Sequence, residues 1–353
     1  MQLAALRRVY VRAPNWVGDL VMATAAFARI RESLPAARIT CGLRGFLRPL
    51  LAGAPWFDEV VEVPKARGLA GLLAQVRLLR AQSFDLAIVL PNSLETGLVP
   101  FLARVPWRLG YQQGRPFLMN LGRKAERNRG WLPRHGPRRV PTPMPDYYAE
   151  LLDQIGLPDM DRRPRLFVTD DERARTAAWL QARGVQPGQR LVLLSAGANY
   201  GGSKLWEPDR WAAVARHFLT QGQLVPVLLA GPSDQDLVRR IGQMSGALAA
   251  VDPVLPVDSL KALCEQASLI VTVDSGPRHV ALAFGVPVVC LLGPNDRRYT
   301  DYCLEDQVVI RKDLPCSPCQ RKVCPLGHRK CMTEITVAEV LAAAGELLGG
   351  VRA

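Results

Sequence analysis

Three short segments hold the residue types that handle a phosphorylated ligand. In VTVDSGPRHVALAFGVPVV, residues 271–289, an apolar run ends at Asp274, Ser275 and Gly276 make a turn, and Pro277 opens a helix, since proline is favoured in a first turn. The free N–H groups and dipole of such a helix start attract an anion such as a diphosphate, and His279, one turn in, adds a donor. Taken alone, Asp-Ser-Gly is equally at home as an ordinary helix N-cap. In LSAGANYGGSKLWEPDRWAAVA, residues 194–215, small residues follow a second strand and lead to Lys204. A lysine on a glycine-rich loop is a natural counter-charge for phosphate; the P-loop spacing is absent, and a solvated surface lysine is the plainer alternative. In APNWVGDLVMATAAF, residues 13–27, Asp19 stands beside Gly18 at a helix start, where its carboxylate can take a proton from a hydroxyl or simply pair with the helix dipole.

These residues need loops at the ends of buried strands, and the chain supplies them twice. Apolar runs at 9–11, 39–43, 60–63 and 86–90 alternate with amphipathic segments, the signature of βαβ units on a parallel sheet. Leu20, Ala23, Phe27, Ile30 and Leu34 fall at three- and four-residue steps and predict one helix after the Asp19 segment. The second half repeats the pattern at 191–195, 224–230, 269–273 and 286–292. Open parallel sheets bind ligands at the carboxyl ends of their strands, so the loops after Ser195, Ala230, Val273 and Leu292 are expected to line one crevice. The turn-rich stretch 156–164 predicts the boundary between a domain at 1–160 and one at 161–335, with a C-terminal helix in 336–353 packing back across the hinge. Residues 104–145 lack periodicity and read as a long functional loop or small subdomain, too polar for a core.

A chain of 353 residues with 48% hydrophobic content is long enough for two cores and is neither a disordered tail nor a miniature scaffold. Its start carries arginines where a secretory signal needs an apolar stretch, and no run is long enough to span a bilayer, so the expected location is cytoplasmic. The formal net charge of +13 implies an anionic partner: nucleic acid, acidic membrane or phosphorylated substrate. The excess is local. Ten basic residues between Arg104 and Arg139, among them Arg115, Arg123, Lys124 and Arg127, face only Glu126.

Together NWVGDLVMATAAF, SAGANYGGSKLW, DSGPRHVALAFGVPVVCLLGP and CSPCQRKVCPLGHRKCM resemble the ADP-heptose:lipopolysaccharide heptosyltransferases, most closely the heptosyltransferase II type, in matching order across nearly the whole chain. The resemblance implies an α/β GT-B fold of two Rossmann-like domains facing a central cleft, acceptor-binding first and donor-binding second. It implies inverting, metal-independent and cofactor-free transfer of heptose from ADP-heptose to a lipopolysaccharide inner-core acceptor. Asp19 matches the general base, Lys204 the lysine at the donor phosphates, and Asp274 the aspartate at the transferred sugar. Ser275, Gly276 and His279 match positions around the diphosphate; Asn199 and Tyr200 precede the lysine where donor contacts fall, and Asp234 is placed to reach the ribose. The arginine-rich stretch then acquires a partner in the anionic acceptor, with peripheral contact to an anionic membrane and no nucleic acid.

Two questions stay open at this level. Cys41, Cys264 and Cys290 sit in apolar contexts and read as buried structural positions, whereas Cys316, Cys319, Cys324 and Cys331, with His328, offer ligands in a spacing that is not standard for zinc. Free or paired thiols are the expectation there. The rival functions are a related glycosyltransferase with another sugar or acceptor, a sugar-nucleotide epimerase, which has no use for the basic stretch, and a basic nucleic-acid-binding protein. Against the last, aromatic residues do not interleave with the arginines as stacking platforms would.

Overall fold

The computed structural model describes residues 1–66, 68–125, 140–159, 161–198, 200–252 and 254–349. The chain divides into two compact units at Phe167/Val168, a few residues beyond the boundary expected from the turns. The extra residues belong to the first unit because they are tied to it: the Arg165 N–H donates to Thr24 Oγ1 at 2.9 Å, and Phe167 packs edge-on against Trp56 at 5.5 Å.

The first unit runs β1 (Arg8–Arg12), α1 (Val17–Met22), α2 (Thr24–Ser33), β2 (Arg38–Leu43), β3 (Glu59–Glu62), α3 (Gly68–Gln82), β4 (Leu86–Val89), α4 (Leu94–Leu102), β5 (Trp107–Gly110) and α5 (Met144–Asp153). Its five strands pair in parallel in the order β3-β2-β1-β4-β5. The helix expected after Asp19 is broken in two at Ala23. The Thr24 hydroxyl donates back to the Val21 carbonyl at 2.7 Å, a local bond that competes with the helix ladder.

Residues 104–125 are not the core-free loop their charge suggested. They contribute edge strand β5, and Leu109, Tyr111, Leu118 and Met119 are buried. The arginines hid a short strand whose single apolar residues give no period.

The second unit continues with α6 (Asp170–Gln181), β6 (Arg190–Ser195), α7 (Pro208–Thr220), β7 (Leu224–Leu229), α8 (Gln235–Ser245), β8 (Leu248–Ala250), α9 (Val257–Gln266), β9 (Ala267–Val273), α10 (Gly276–Ala283), β10 (Val288–Leu291), β11 (Gln307–Ile310), α11 (Lys330–Thr333) and α12 (Val337–Gly349). Its six parallel strands are ordered β11-β10-β9-β6-β7-β8. Helix α12 packs on this sheet: Val340, Ala343 and Ala344 join Val271, Val273, Val289 and Leu291 in one apolar core. The C-terminal helix is therefore part of the second unit's core. Cys41, Cys264 and Cys290 are fully buried, as their apolar contexts predicted. No helix among the described residues is long and apolar enough to cross a membrane.

Candidate active site

Both strand orders reverse direction at one point, between β1 and β4 in the first sheet and between β6 and β9 in the second. At such a switch the two loops leaving adjacent strands diverge to opposite faces and leave a gap at the carboxyl edge that a ligand can fill. The segments singled out in the sequence are the loops after β1, β6 and β9.

In the second unit, Lys204 follows β6 and Asp274 follows β9. The Lys204 ammonium donates to the Asp274 backbone oxygen at 2.6 Å and to its carboxylate at 3.1 Å. The other carboxylate oxygen accepts from Arg278 at 2.8 Å, and Asn295, after β10, donates to the first at 2.7 Å. Lys204, Asp274 and Arg278 are all buried. Burial by itself would raise the Asp274 pKa, but the Lys204 and Arg278 charges hold it well below the ordinary aspartate range, so the carboxylate is ionised. Two cations around one carboxylate leave a net positive centre where an anion can bind.

Arg278 was missed by sequence reasoning, although it lies four residues after Asp274, the spacing at which opposite charges pair along a helix. It is fully buried, its remaining donors going to Gln307 and Thr300. It ties the Asp274 carboxylate to Thr300 and to Gln307 of β11.

Ser275 occupies the N-cap position of α10, yet its side chain makes no capping bond; its hydroxyl lies 3.4 Å from that of Thr272. The helix start, with Gly276 and Pro277, thus keeps its dipole uncapped by a side chain, which favours the anion-site reading over the ordinary cap. His279 is buried, and its Nδ1 lies 2.5 Å from the Tyr302 hydroxyl, the two rings stacked 15° from parallel. Burial first, and then the Arg278 charge, push its pKa down to about 3, so this imidazole is neutral.

That neutrality has a cost in acid. The unfolded chain protonates the imidazole near its ordinary value and the native chain only near pH 3, so between the two the unfolded state holds the extra proton. Stability from this group is complete above about pH 6.5 and falls with pH by up to about 1.4 kcal/mol per unit. Calorimetry from pH 7 to pH 4 should show a shallower fall in melting temperature for His279→Gln than for the parent; parallel curves would disprove the assignment.

The other residues singled out in the second unit lie in loops at the same sheet edge. Asp234 precedes α8 and makes no capping bond. Gly197, after β6, lets its carboxylate approach, since a Cβ there would lie 2.0 Å from Asp234 Oδ2. Tyr200 lies beneath Lys204, whose ammonium is 4.8 Å from the ring centre, and its hydroxyl donates to the Gln320 carbonyl at 2.7 Å. Asn199 lies outside the described residues.

In the first unit, Asp19 is half-buried in the first turn of α1. The turn before it is braced by Arg12, a buried guanidinium at the end of β1, which donates to Asn15 Oδ1 at 2.7 Å and to the Ala13 carbonyl at 2.6 Å. Arg123 is half-buried and Lys124 exposed; Arg123 makes a loose 3.6 Å pair with Glu150. Arg127 lies outside the described residues.

Arg115 corrects the expectation of an acceptor contact. It is 2% exposed, and its guanidinium donates to the carbonyls of Tyr111, Ser93 and Pro91 and to the Thr96 hydroxyl at 2.7–3.1 Å. It fastens the loop after β4, and burial pushes its pKa down to about 10. Arg115→Met should leave those carbonyls buried and unpaired and destabilise the first unit by about 2–4 kcal/mol, read by urea unfolding; a change below about 0.5 kcal/mol would contradict this role.

The family model described as glycosyltransferase family 9 (heptosyltransferase) matches residues 72–330. Lipopolysaccharide heptosyltransferase 2 of Escherichia coli K12 is 27% identical, over 97% of this chain and 98% of its own. Lipooligosaccharide heptosyltransferase 2 of Haemophilus influenzae is 26% identical, over 86% and 88%. Among solved structures, a family 9 glycosyl transferase from Veillonella parvula superposes with a TM-score of 0.80 at 23% identity, over 99% of this chain and 98% of that one. The E. coli ADP-heptose lps heptosyltransferase II does so with a TM-score of 0.77 at 24%, over 97% and 98%. The fold is thus GT-B, and because the matched stretch takes in both the lysine loop and the aspartate turn, the chain belongs to glycosyltransferase family 9, the heptosyltransferases.

Proposed function

We propose that this glycosyltransferase moves L-glycero-D-manno-heptose from ADP-heptose to the first heptose of the lipopolysaccharide inner core, with inversion. The observation that carries the donor half is the Lys204–Asp274–Arg278 cluster beside the uncapped start of α10. Cleavage of the sugar–phosphate bond leaves charge on the departing ADP, and a fixed ammonium and helix start stabilise that charge as it develops. Asp274 faces the transferred sugar, Ser275 and Gly276 the diphosphate, and Asp234, held by the Gly197 approach, the ribose. Tyr200 supports the lysine from below. Asp19 takes the proton from the attacking hydroxyl, so the nucleophile gains charge only as it bonds to the anomeric carbon.

The heptosyltransferase 2 relatives support the acceptor half. The acceptor is anionic, and Arg123 lines a polar pocket with Thr142, Tyr147 and Glu150. A loose surface pair contributes little in water, so Arg123 can exchange Glu150 for an acceptor phosphate. Lys124 and Arg127 extend the same basic stretch. We place the reaction at the cytoplasmic face of the inner membrane, with the basic surface against anionic lipid.

The test is to mix purified protein with ADP-heptose and a core precursor bearing one heptose in magnesium-free buffer, following product mass and ADP release. A gain of one heptose per acceptor is the expected result. Binding of ADP-heptose without a product would refute the acceptor, and absence of binding would refute the donor.

A further inference from the structure

The heptose-transfer chemistry uses none of the cysteines between β11 and α12. In sequence their spacing matches no standard zinc motif, but the fold makes linear spacing irrelevant: Cys316, Cys319, Cys324 and Cys331, with His328, all line one small cavity in the second unit. None of the four is in a disulfide. Cys331 is buried and borders the same cavity as the other three.

The backbone around the Cys324 sulfur is arranged for negative charge. The turn closed by the Gly327 N–H on the Cys324 carbonyl, with Gly327 at φ +72°, turns the N–H groups of residues 326–329 toward the Cys324 sulfur. Cys319 is followed by Gln320 at φ +53°, a left-handed conformation that a non-glycine residue keeps only when its surroundings enforce it. Here the Gln320 N–H donates to the Pro294 carbonyl at 2.8 Å and its own carbonyl accepts from Tyr200. On binding a metal ion the thiols give up their protons, and the cation between them offsets the mutual repulsion of the thiolates. A soft sulfur set selects Zn²⁺ or Fe²⁺ over hard ions such as Mg²⁺.

We infer that Cys316, Cys319, Cys324 and Cys331 bind one thiophilic divalent ion, Zn²⁺ or Fe²⁺, as a structural clamp. Among the described residues, the one group of three or more ligand atoms within 4.8 Å of one another is Cys303, Glu305 and Asp306. The four sulfurs are therefore spread more widely than the roughly 3.8 Å edge of a tetrahedron with metal–sulfur bonds of about 2.3 Å, and binding draws their two turns inward.

The clamp sits directly behind the lysine loop. Lys322 O accepts the Ser203 N–H at 3.1 Å, Arg321 O accepts the Ser203 hydroxyl at 2.6 Å, and a Cβ on Gly201 would lie 2.4 Å from Lys322 O. On its other side, Ser317 donates to Gly293 O at 3.0 Å, two residues before Asn295. Fixing the cysteine loop thus fixes the platform for Lys204 and Asn295, a consequence that rests on the proposed donor role of Lys204.

The experiment titrates the full-length, reduced, chelator-stripped protein with Co²⁺ and then Zn²⁺. One Co²⁺ per chain is expected, with thiolate charge-transfer absorption and intense tetrahedral d–d bands that Zn²⁺ abolishes. The double variant C319S/C324S should lose both signals, and Cys303→Ser should keep them. If the double variant fails to fold, the wild-type titration still decides: no stoichiometric uptake, or Co²⁺ spectra without thiolate absorption, overturns the site. Stripping wild type should also weaken ADP binding at least fivefold, with recovery on adding Zn²⁺. Uptake of metal by a protein that never binds ADP would refute the donor reading and leave the metal site standing.

Discussion

Lys204→Met should weaken ADP binding and lower kcat/KM by about 10²-fold or more, while also lowering the melting temperature of the second unit. The stability loss follows from burial. The ammonium and the Asp274 carboxylate are both nearly inaccessible, 3.1 Å apart, and breaking such a pair by removing one partner costs up to about 3–5 kcal/mol. Arg278 and Asn295 still hold the carboxylate, so the lower part of that range applies, a fall on the order of 5–10 °C for a unit of this size.

A lysine present only to neutralise Asp274 would give the same stability loss, so ADP affinity separates the roles. In Lys204→Met combined with Asp274→Asn, the carboxylate is gone but the fully buried Arg278 guanidinium loses its partner, so stability should not return. ADP binding should not return either, because the phosphate counter-charge is still missing. Calorimetry and ADP titration on the wild type and the two variants measure both quantities. Near-normal ADP affinity in Lys204→Met would show that the lysine serves Asp274 alone.

The readable and unreadable parts of this chain differ for physical reasons. Strands β1, β2, β4, β6, β7, β9 and β10 are covered on both faces and show as continuous apolar runs, which is why both parallel sheets were legible. Edge strands β5, β8 and β11, of three or four residues each, were not read from the sequence, whereas the equally short edge strand β3 was. The Asp274 turn and Lys204 loop were legible because strand, turn and helix start follow one another without interruption. Arg278 escaped because a charged residue is expected in solvent, and only the tertiary structure shows the Gln307 and Thr300 partners that make its burial tolerable. Arg115 failed in the opposite sense. Its local composition marked it as a surface cation, yet the nearby Tyr111 carbonyl and the distant Ser93 and Pro91 carbonyls enclose it.

Asp19→Asn should lower kcat by about 10²–10⁴-fold and leave ADP affinity unchanged. The amide has the shape of the carboxylate and can still accept a hydrogen bond at the helix start, but it cannot take the proton from an attacking hydroxyl. The competing role is electrostatic: a carboxylate in the first turn of α1 stabilises the helix dipole by about 0.3–1 kcal/mol. The two roles predict different results. Loss of the dipole partner shifts the melting temperature slightly in either case, and only loss of the base removes turnover. Arg12 braces the preceding turn through Asn15, so the backbone of the segment is expected to persist in the variant. Initial rates with saturating ADP-heptose, set beside ADP titration and thermal unfolding of the same samples, distinguish the roles. Turnover within about threefold of wild type would assign Asp19 to the helix alone, since a missing general base costs at least about 10²-fold.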